Sequence, residues 1–165
     1  MGEAVEERVG YLVTRAQYAL RSAMDTELRA HGITTPQYAA LSALEQHGVL
    51  SGAELARRCF VTPQTMNAIV ANLAGAELVT RRPHPKHGRV IEISLAPRAR
   101  SLLRKAHATV RAIEEAMLHG MSTQGRRKLA RRLRHCIETL ETRPRPKLSV
   151  PDSPSAANRD VVALE

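Results

Sequence analysis

The side chains with the clearest chemical potential lie on one face of a predicted helix, from about Pro63 to Leu73. Its outward positions carry amide, hydroxyl and methyl groups and no charge: Gln64, Thr65, Asn67, Ala68, Ala71 and Asn72. Amides pair bidentately with adenine edges, hydroxyls contact bases or phosphates, and alanine methyls allow a close approach or touch a thymine methyl. This face is a candidate for contacts with DNA bases, and the alternative is an ordinary polar surface face.

Two helix-start signals place this face in a small motif. Ser51 and Glu54 have the spacing of a capping box, in which each side chain satisfies the other residue's backbone donor. Thr62 is a good N-cap and Pro63 suits the first helical position, so a second helix begins there. The inward residues of the two helices are Leu55, Ala56, Cys59, Met66, Ile69, Val70 and Leu73. Two short helices joined by a tight turn predict a helix-turn-helix, whose second helix enters the DNA major groove.

Cationic side chains cluster on a predicted β-hairpin directly after these helices. Residues 78–82 are β-prone, residues 83–88 are not expected to form regular structure, and Ile91, Ile93 and Leu95 alternate on one face. The cations of the hairpin are Arg81, Arg82, Lys86 and Arg89. A hairpin after a recognition helix is a wing, and its cations are placed to contact phosphates or a narrow minor groove.

The sequence contains none of the usual catalytic motifs. A glycine-rich phosphate loop, Cys-x-x-Cys, His-Glu-x-x-His and a serine nucleophile elbow are all missing. The candidate zinc ligands are His84 with His87, and His135 and Cys136 with His107 or His119. Their spacing is not that of a known zinc site. We therefore predict no enzymatic activity, metal or cofactor, and we expect Cys59 and Cys136 to be inert buried thiols.

The net charge of +9 is unevenly distributed along the 165 residues. Residues 1–80 carry −2, whereas residues 81–141 hold fifteen Lys or Arg against five acids. This excess begins at the hairpin and favours a polyanionic partner with salt-dependent affinity. No apolar run approaches the roughly 20 residues that span a bilayer, and the acidic N-terminus is unlike a signal peptide. We expect a cytoplasmic protein that does not bind membranes.

Four longer amphipathic helices are predicted around the motif. The first covers about residues 5–30. The second starts with Thr35 as its N-cap and Pro36 in the first helical position and ends near Gly48, and the third runs from Pro97 to Gly120. The last is capped by Ser122 and has an apolar stripe of Leu129, Leu133, Ile137 and Leu140. Together they offer more apolar surface than a small winged domain can bury, which indicates a dimer. The predicted fold is mainly α with a small β-hairpin. Residues 1–34 and 97–141 form a helical dimerisation region, residues 35–96 a winged helix-turn-helix, and residues 142–165 a flexible tail.

From Val5 to Glu141 the sequence resembles the MarR family of bacterial winged-helix transcriptional regulators. The resemblance is strongest at residues 54–58, residues 62–70, residues 78–81 and Gly88-Arg89. It implies a homodimer whose recognition helix enters the major groove and whose wing arginine, here Arg89, reaches the minor groove. Two positions depart from the family: His87 replaces a common Asp, and Ala96 replaces a Thr that usually caps the next helix. Loss of such a cap typically costs about 1 kcal/mol.

Two functions remain open at this stage. In the first, the protein is a sequence-specific repressor that binds a pseudo-palindromic operator in double-stranded DNA as a homodimer and responds to a small-molecule effector. In the second, it is a non-specific architectural DNA-binding protein. The uncharged helix face favours the first, since a purely electrostatic binder would gain more from Lys or Arg there. The predicted DNA-binding residues are Thr62, Gln64, Thr65, Asn67, Ala68, Arg81, Arg82, Lys86 and Arg89.

Overall fold

Six α-helices and three short strands are present in the described residues, 4–86 and 90–143, of the computed structural model. They are α1 (Val9–Leu28), α2 (Thr35–His47), β1 (Leu50–Ser51), α3 (Gly52–Arg58), α4 (Pro63–Gly75), β2 (Val79–Pro83), β3 (Ile91–Leu95), α5 (Pro97–Met117) and α6 (Thr123–Thr142). The described residues divide into two units, one ending at His119 and the other beginning at Gly120. No described helix is long and apolar enough to cross a membrane.

The first helix is shorter than predicted. A 3₁₀ turn at Val5–Glu7 is followed by Arg8 in an extended conformation, and α1 starts only at Val9. The prediction of one continuous helix from about residue 5 is therefore wrong at its start. Val5 is 60% exposed and none of residues 5–7 is buried, so this turn does not pack against the described chain. The predicted stop is confirmed, because Gly32 adopts a left-handed conformation after a second 3₁₀ turn.

Helix α2 begins one residue earlier than its Thr-Pro pair indicated. Thr34 is the N-cap, whereas Thr35 is already helical and Pro36 follows it. The Thr34 N–H donates to Gln37 Oε1 at 2.9 Å, and the Gln37 N–H donates to Thr34 Oγ1 at 3.4 Å. The prediction of Thr35 as the cap is wrong because this reciprocal pair needs a spacing of three to Gln37. The predicted end is confirmed at Gly48, which has a φ of 78°.

The core of the first unit is aliphatic and draws on all five of its helices. Its largest fully buried side chains are Leu28, Leu41, Leu44, Leu55, Met66, Leu73 and Leu103. The four inward positions predicted for α4 are all buried. Burial of each large aliphatic side chain contributes about 1.5–3 kcal/mol, so α4 is held firmly with its polar face outward.

The sheet has three antiparallel strands in the order β1-β3-β2. The β2–β3 hairpin is the predicted wing, whereas β1 was not predicted because two residues carry no periodic signal. Pro83, expected outside regular structure, is the last residue of β2 and pairs with Ile91. A proline is tolerated there because β2 is an edge strand and its lost N–H breaks no ladder bond. Ile93 is buried, but Ile91 lies further along the hairpin and is exposed.

Helices α5 and α6 begin and end close to the predicted residues. Ala96 precedes Pro97 as the N-cap of α5 and makes no side-chain capping hydrogen bond, as its residue type implies. Ser122 caps α6 by accepting a hydrogen bond from the Gly125 N–H at 3.1 Å. Thr142, the first residue of the predicted tail, is the last residue of α6, and residues 144–165 lie outside the described part of the chain.

The apolar stripe of α6 is exposed. Leu129 and Leu133 are 37% and 40% exposed, Ile137 and Leu140 are more so, and α6 buries no residue. In the first unit, α1 carries exposed Val9, Leu12 and Val13. Such surfaces are typical of helices that are covered by another subunit.

Candidate nucleic-acid interface

Helix α3 begins with the predicted capping box. The Ser51 N–H and hydroxyl donate to Glu54 Oε2 at 2.9 and 2.7 Å, and the Glu54 N–H donates to Ser51 Oγ at 3.3 Å. These bonds from Ser51 hold the pKa of the Glu54 carboxyl below its ordinary value. Ser51 also ends β1, where it is paired with Glu92 of β3. Ser51 therefore joins the first helix of the motif to β3, the central strand of the sheet and one strand of the wing.

The turn between α3 and α4 is a Schellman motif. The Val61 N–H donates to the Ala56 carbonyl at 3.1 Å, and the Phe60 N–H donates to the Arg57 carbonyl at 3.4 Å. Phe60 has a φ of 55°, the left-handed conformation that this motif requires after the C-cap. The turn directs the chain into Thr62, the N-cap of α4, whose Oγ1 accepts a hydrogen bond from the Thr65 N–H at 3.1 Å.

A second Schellman motif ends α4. The Leu78 N–H donates to the Leu73 carbonyl at 2.9 Å, the Glu77 N–H donates to the Ala74 carbonyl at 3.0 Å, and Glu77 has a φ of 57°. Both helices of the motif thus end at a left-handed residue other than glycine. Glycine is the usual residue at this position, and without it the sequence does not mark either motif.

The outer face of α4 is exposed as predicted. All six outward positions, Gln64, Thr65, Asn67, Ala68, Ala71 and Asn72, are exposed. The hydroxyls of Thr62 and Thr65 lie 2.8 Å apart and hydrogen bond to each other. These two side chains are already used in capping, whereas the amides of Gln64 and Asn67 are on the surface at the N-terminal half of the helix.

A groove of about 350 Å³ brings Asn67 of α4 together with Arg81 of the wing. Gly52, at the start of α3, and Ile93, in β3, line it as well. A Cβ at Gly52 would lie 3.7 Å from Asn67 Oδ1 and 3.9 Å from Ile93 Cδ1, so this amide packs alongside the start of α3. An amide and a guanidinium thus share one concave surface between the recognition helix and the wing.

The two arginines of β2 lie on opposite faces of the wing. Arg81 pairs with Ile93 in the ladder and Arg82 pairs with Glu92, and directly opposed residues share a face. The face of Arg81 is the one that borders α4, because Arg81 and Asn67 line the same groove. Arg82 therefore lies on the outer face with Glu92, although both arginines are exposed.

His84 makes three contacts near the tip of the hairpin. The His84 N–H donates to the Val90 carbonyl at 2.8 Å, and His84 Nδ1 accepts a hydrogen bond from the Lys86 N–H at 3.0 Å. His84 Nε2 lies 3.6 Å from a carboxylate oxygen of Glu92. Lys86 is exposed, and Arg89, together with His87 and Gly88, lies outside the described residues.

Comparison with known proteins connects this architecture to one family. A family model described as MarR family matches residues 31–90. The HTH-type transcriptional repressor Rv2887 of Mycobacterium tuberculosis is 36% identical over 133 residues, which cover 81% of this chain and 96% of that protein. The chain belongs to the MarR family.

The fold of this MarR-family regulator is also similar to that of Rv2887 in its solved structures. The Rv2887 complex with DNA has a TM-score of 0.67 and 34% identity, covering 78% of this chain and 97% of that chain. The Rv2887 complex with salicylic acid has a TM-score of 0.66 and 34% identity, covering 81% and 99%. The predicted winged helix-turn-helix and the predicted class, a transcriptional regulator, are confirmed.

Two histidines of this MarR-family chain make hydrogen bonds that connect its helices. His107 of α5 bridges to α2, with its Nδ1 2.8 Å from Tyr38 Oη and its Nε2 2.7 Å from Glu45 Oε2. His31 Nε2 lies 2.7 Å from Thr109 Oγ1 of α5. Within residues 4–86 and 90–143, no three His, Cys, Asp or Glu residues are grouped as metal ligands.

The two cysteines of the MarR-family chain differ in environment. Cys59 is half-buried behind the α3–α4 turn, and burial raises the pKa of its thiol, so it stays in the unreactive thiol form. Cys136 is exposed. The prediction of a buried thiol is therefore wrong for Cys136, because it lies on α6, a helix that buries none of its side chains within this chain.

Proposed function

We propose that this chain is a sequence-specific repressor that binds a pseudo-palindromic operator as a homodimer and is released by a small-molecule effector. The observation that carries the proposal is the uncharged, exposed face of α4 and the groove that joins its Asn67 to Arg81 of the wing. A protein that bound DNA through charge alone would have no use for amides at the end of the helix that meets base edges.

The proposed base contacts lie in the first half of α4. Gln64 and Asn67 supply amides for adenine edges, and Ala68 supplies a methyl group at close range. Thr62 and Thr65 are committed to capping, so we assign them to a phosphate at the helix N-terminus, where the helix dipole and the Gln64 N–H favour an anion. One of these two hydroxyls donates to the other, so the second keeps its O–H to donate to a phosphate oxygen.

The proposed backbone contacts lie on the wing. Arg81 faces the groove beside α4, and exposed Lys86 lies close to the tip. Arg82 on the outer face is the weaker contact, and Arg89 keeps the minor-groove role that the family resemblance implies. Phosphate contacts of this kind position the protein on the duplex and make its affinity depend on salt.

The homodimer and the effector complete the proposal. Exposed apolar stripes on α1 and on α6 are the surfaces that a second copy would cover. Structures of Rv2887 contain salicylic acid and p-aminosalicylic acid, and we infer a small aromatic acid as the effector class here. The proposed regulator acts in the cytoplasm and catalyses no reaction.

The proposal is tested by comparing the affinity for a selected operator with the affinity for scrambled DNA. Replacement of Gln64 or Asn67 by Ala should lower this specificity ratio by about 5- to 150-fold, because a bidentate amide contact provides roughly 1–3 kcal/mol of discrimination. Asn72→Ala is the matched control, since it removes an exposed amide from the C-terminal half of the same helix.

The outcomes separate the two functions left open by the sequence. If the ratio were unchanged in both N-terminal variants, α4 would not read bases through these amides, and the architectural function would be favoured. The same titration in the presence of salicylate should show weaker operator binding by the parent protein. If small aromatic acids did not change the operator affinity, they would not be the effector class.

A further inference from the structure

We propose that Phe60 is an additional specificity-determining residue, whose phenyl ring packs against the C5-methyl of a thymine in the operator. This inference rests on the proposed function and deepens it, because it adds an apolar contact to the polar contacts of α4. Three observations carry it: the backbone conformation of Phe60, the exposure of its side chain, and its position before the recognition helix.

The backbone conformation at position 60 is unfavourable for phenylalanine. Its φ of 55° lies in the left-handed region, where the Cβ of an L-residue approaches the following carbonyl oxygen. The Schellman hydrogen bonds of Phe60 and Val61 need this conformation but use only backbone atoms. Glycine would make the same turn without strain, so the requirements of the turn do not explain a phenyl group.

The side chain gains nothing from packing within the described chain. Phe60 is 90% exposed, the highest value among the large hydrophobic residues described, and it is the only phenylalanine in the sequence. A buried phenylalanine would compensate for backbone strain through the hydrophobic effect, but this one leaves its ring in water. Backbone strain that no packing compensates indicates that the side chain has a functional role, here a contact with another molecule.

The position of Phe60 favours DNA as the molecule that it contacts. It lies three residues before Pro63, and three residues span at most about 10 Å, so its ring is near the end of α4 that meets base edges. Arg57 and Arg58, the last residues of α3, are exposed beside it and suit a phosphate backbone. Phenylalanine is among the side chains that recognise thymine through its methyl group.

The first experiment replaces Phe60 by Gly and uses Glu77→Gly as the matched control. Both residues occupy the left-handed position of a Schellman motif, so both variants should melt about 2–5 °C higher than the parent. Only Phe60→Gly should also bind an operator selected with the parent protein about three- to tenfold more weakly. Loss of the exposed ion pair between Glu77 and Arg98 should have little effect on the control.

The second experiment locates the thymine. Each thymine of the selected operator is replaced in turn by uracil, which removes only the C5-methyl group. The parent should lose affinity at one thymine in each half-site, and Phe60→Gly should be insensitive at that position.

Three results would overturn the inference. A more stable Phe60→Gly variant with unchanged operator affinity would show that the ring makes no DNA contact. Uracil substitution with the same effect on parent and variant would assign the thymine to another residue. Failure of the parent to select any sequence would defeat the proposed function and this inference together, whereas the first two results leave the proposed function standing.

Discussion

Arg81 and Arg82 are adjacent in β2, but the pleat gives them different surroundings. Arg81 borders the groove with Asn67, and Arg82 lies opposite Glu92 on the outer face. We predict that Arg81→Ala weakens DNA binding more than Arg82→Ala and lowers the salt slope of log affinity by about one unit. Binding measured by fluorescence anisotropy over a salt series checks this, with Arg82→Ala as the control of equal charge. Equal losses in both variants would contradict the assignment of the two faces.

Residue identity in the sequence predicts burial better than it predicts special backbone conformations. The inward positions of α4 were predictable because Met66, Ile69, Val70 and Leu73 repeat at helical spacing. The left-handed residues Phe60 and Glu77 were not, because the usual marker of such positions is glycine. The separation of Arg81 from Arg82 follows from strand alternation, but which of them borders α4 depends on the packing of the hairpin and requires the structure.

Helices α2 and α3 each begin with a capping box, and only the box of α3 contains an ionisable side chain. In the first, Thr34 pairs with the neutral Gln37, and in the second, Ser51 pairs with Glu54, whose pKa is lowered by hydrogen bonds from Ser51. A lowered carboxyl pKa stabilises the fold above its unfolded-state value, and this contribution is lost as the pH falls through the folded-state value. The contribution of the α3 capping box should therefore be weakened by acid, whereas that of the α2 box should not.

We predict that Ser51→Ala and Thr34→Ala each destabilise the protein by about 1 kcal/mol at neutral pH. The cost of Ser51→Ala should shrink as the pH falls below the ordinary pKa of a glutamate and through the lowered pKa of Glu54, because the charged form that Ser51 stabilises is then lost. Urea unfolding at several pH values measures both costs, and Thr34→Ala is the control. A cost of Ser51→Ala that stays constant with pH would show that the charge of Glu54 contributes nothing.

At the scale of elements, caps and prolines in the sequence predicted most helix boundaries. Ser51, Thr62 and Ser122 cap the helices expected of them, because N-capping is a local interaction between residues two or three apart. The sheet was harder to predict. Strand β1 exists because β3 offers a free edge to residues distant in sequence, and a two-residue strand leaves no pattern of its own.

The exposed apolar stripe of α6 predicts that two copies of the protein associate. We predict that the parent protein sediments as a dimer and that Leu133→Asp combined with Ile137→Asp gives a folded monomer. Burial of unpaired carboxylates in an apolar interface costs several kcal/mol per charge. His135→Asp is the control, because helical spacing puts it on the side of α6 opposite the stripe. Analytical ultracentrifugation at micromolar concentration measures the result, and a monomeric parent would contradict it.

The shared role of Ser51 has a consequence for the geometry of the DNA target. Because Ser51 both caps α3 and pairs with Glu92 of β3, the helix pair and the wing are tied at their common root. The distance along the duplex between the bases that α4 contacts and the flanking groove that the wing contacts should therefore be fixed. One base pair inserted between those two places shifts them by about 3.4 Å along the duplex, and a tied wing cannot stretch to follow.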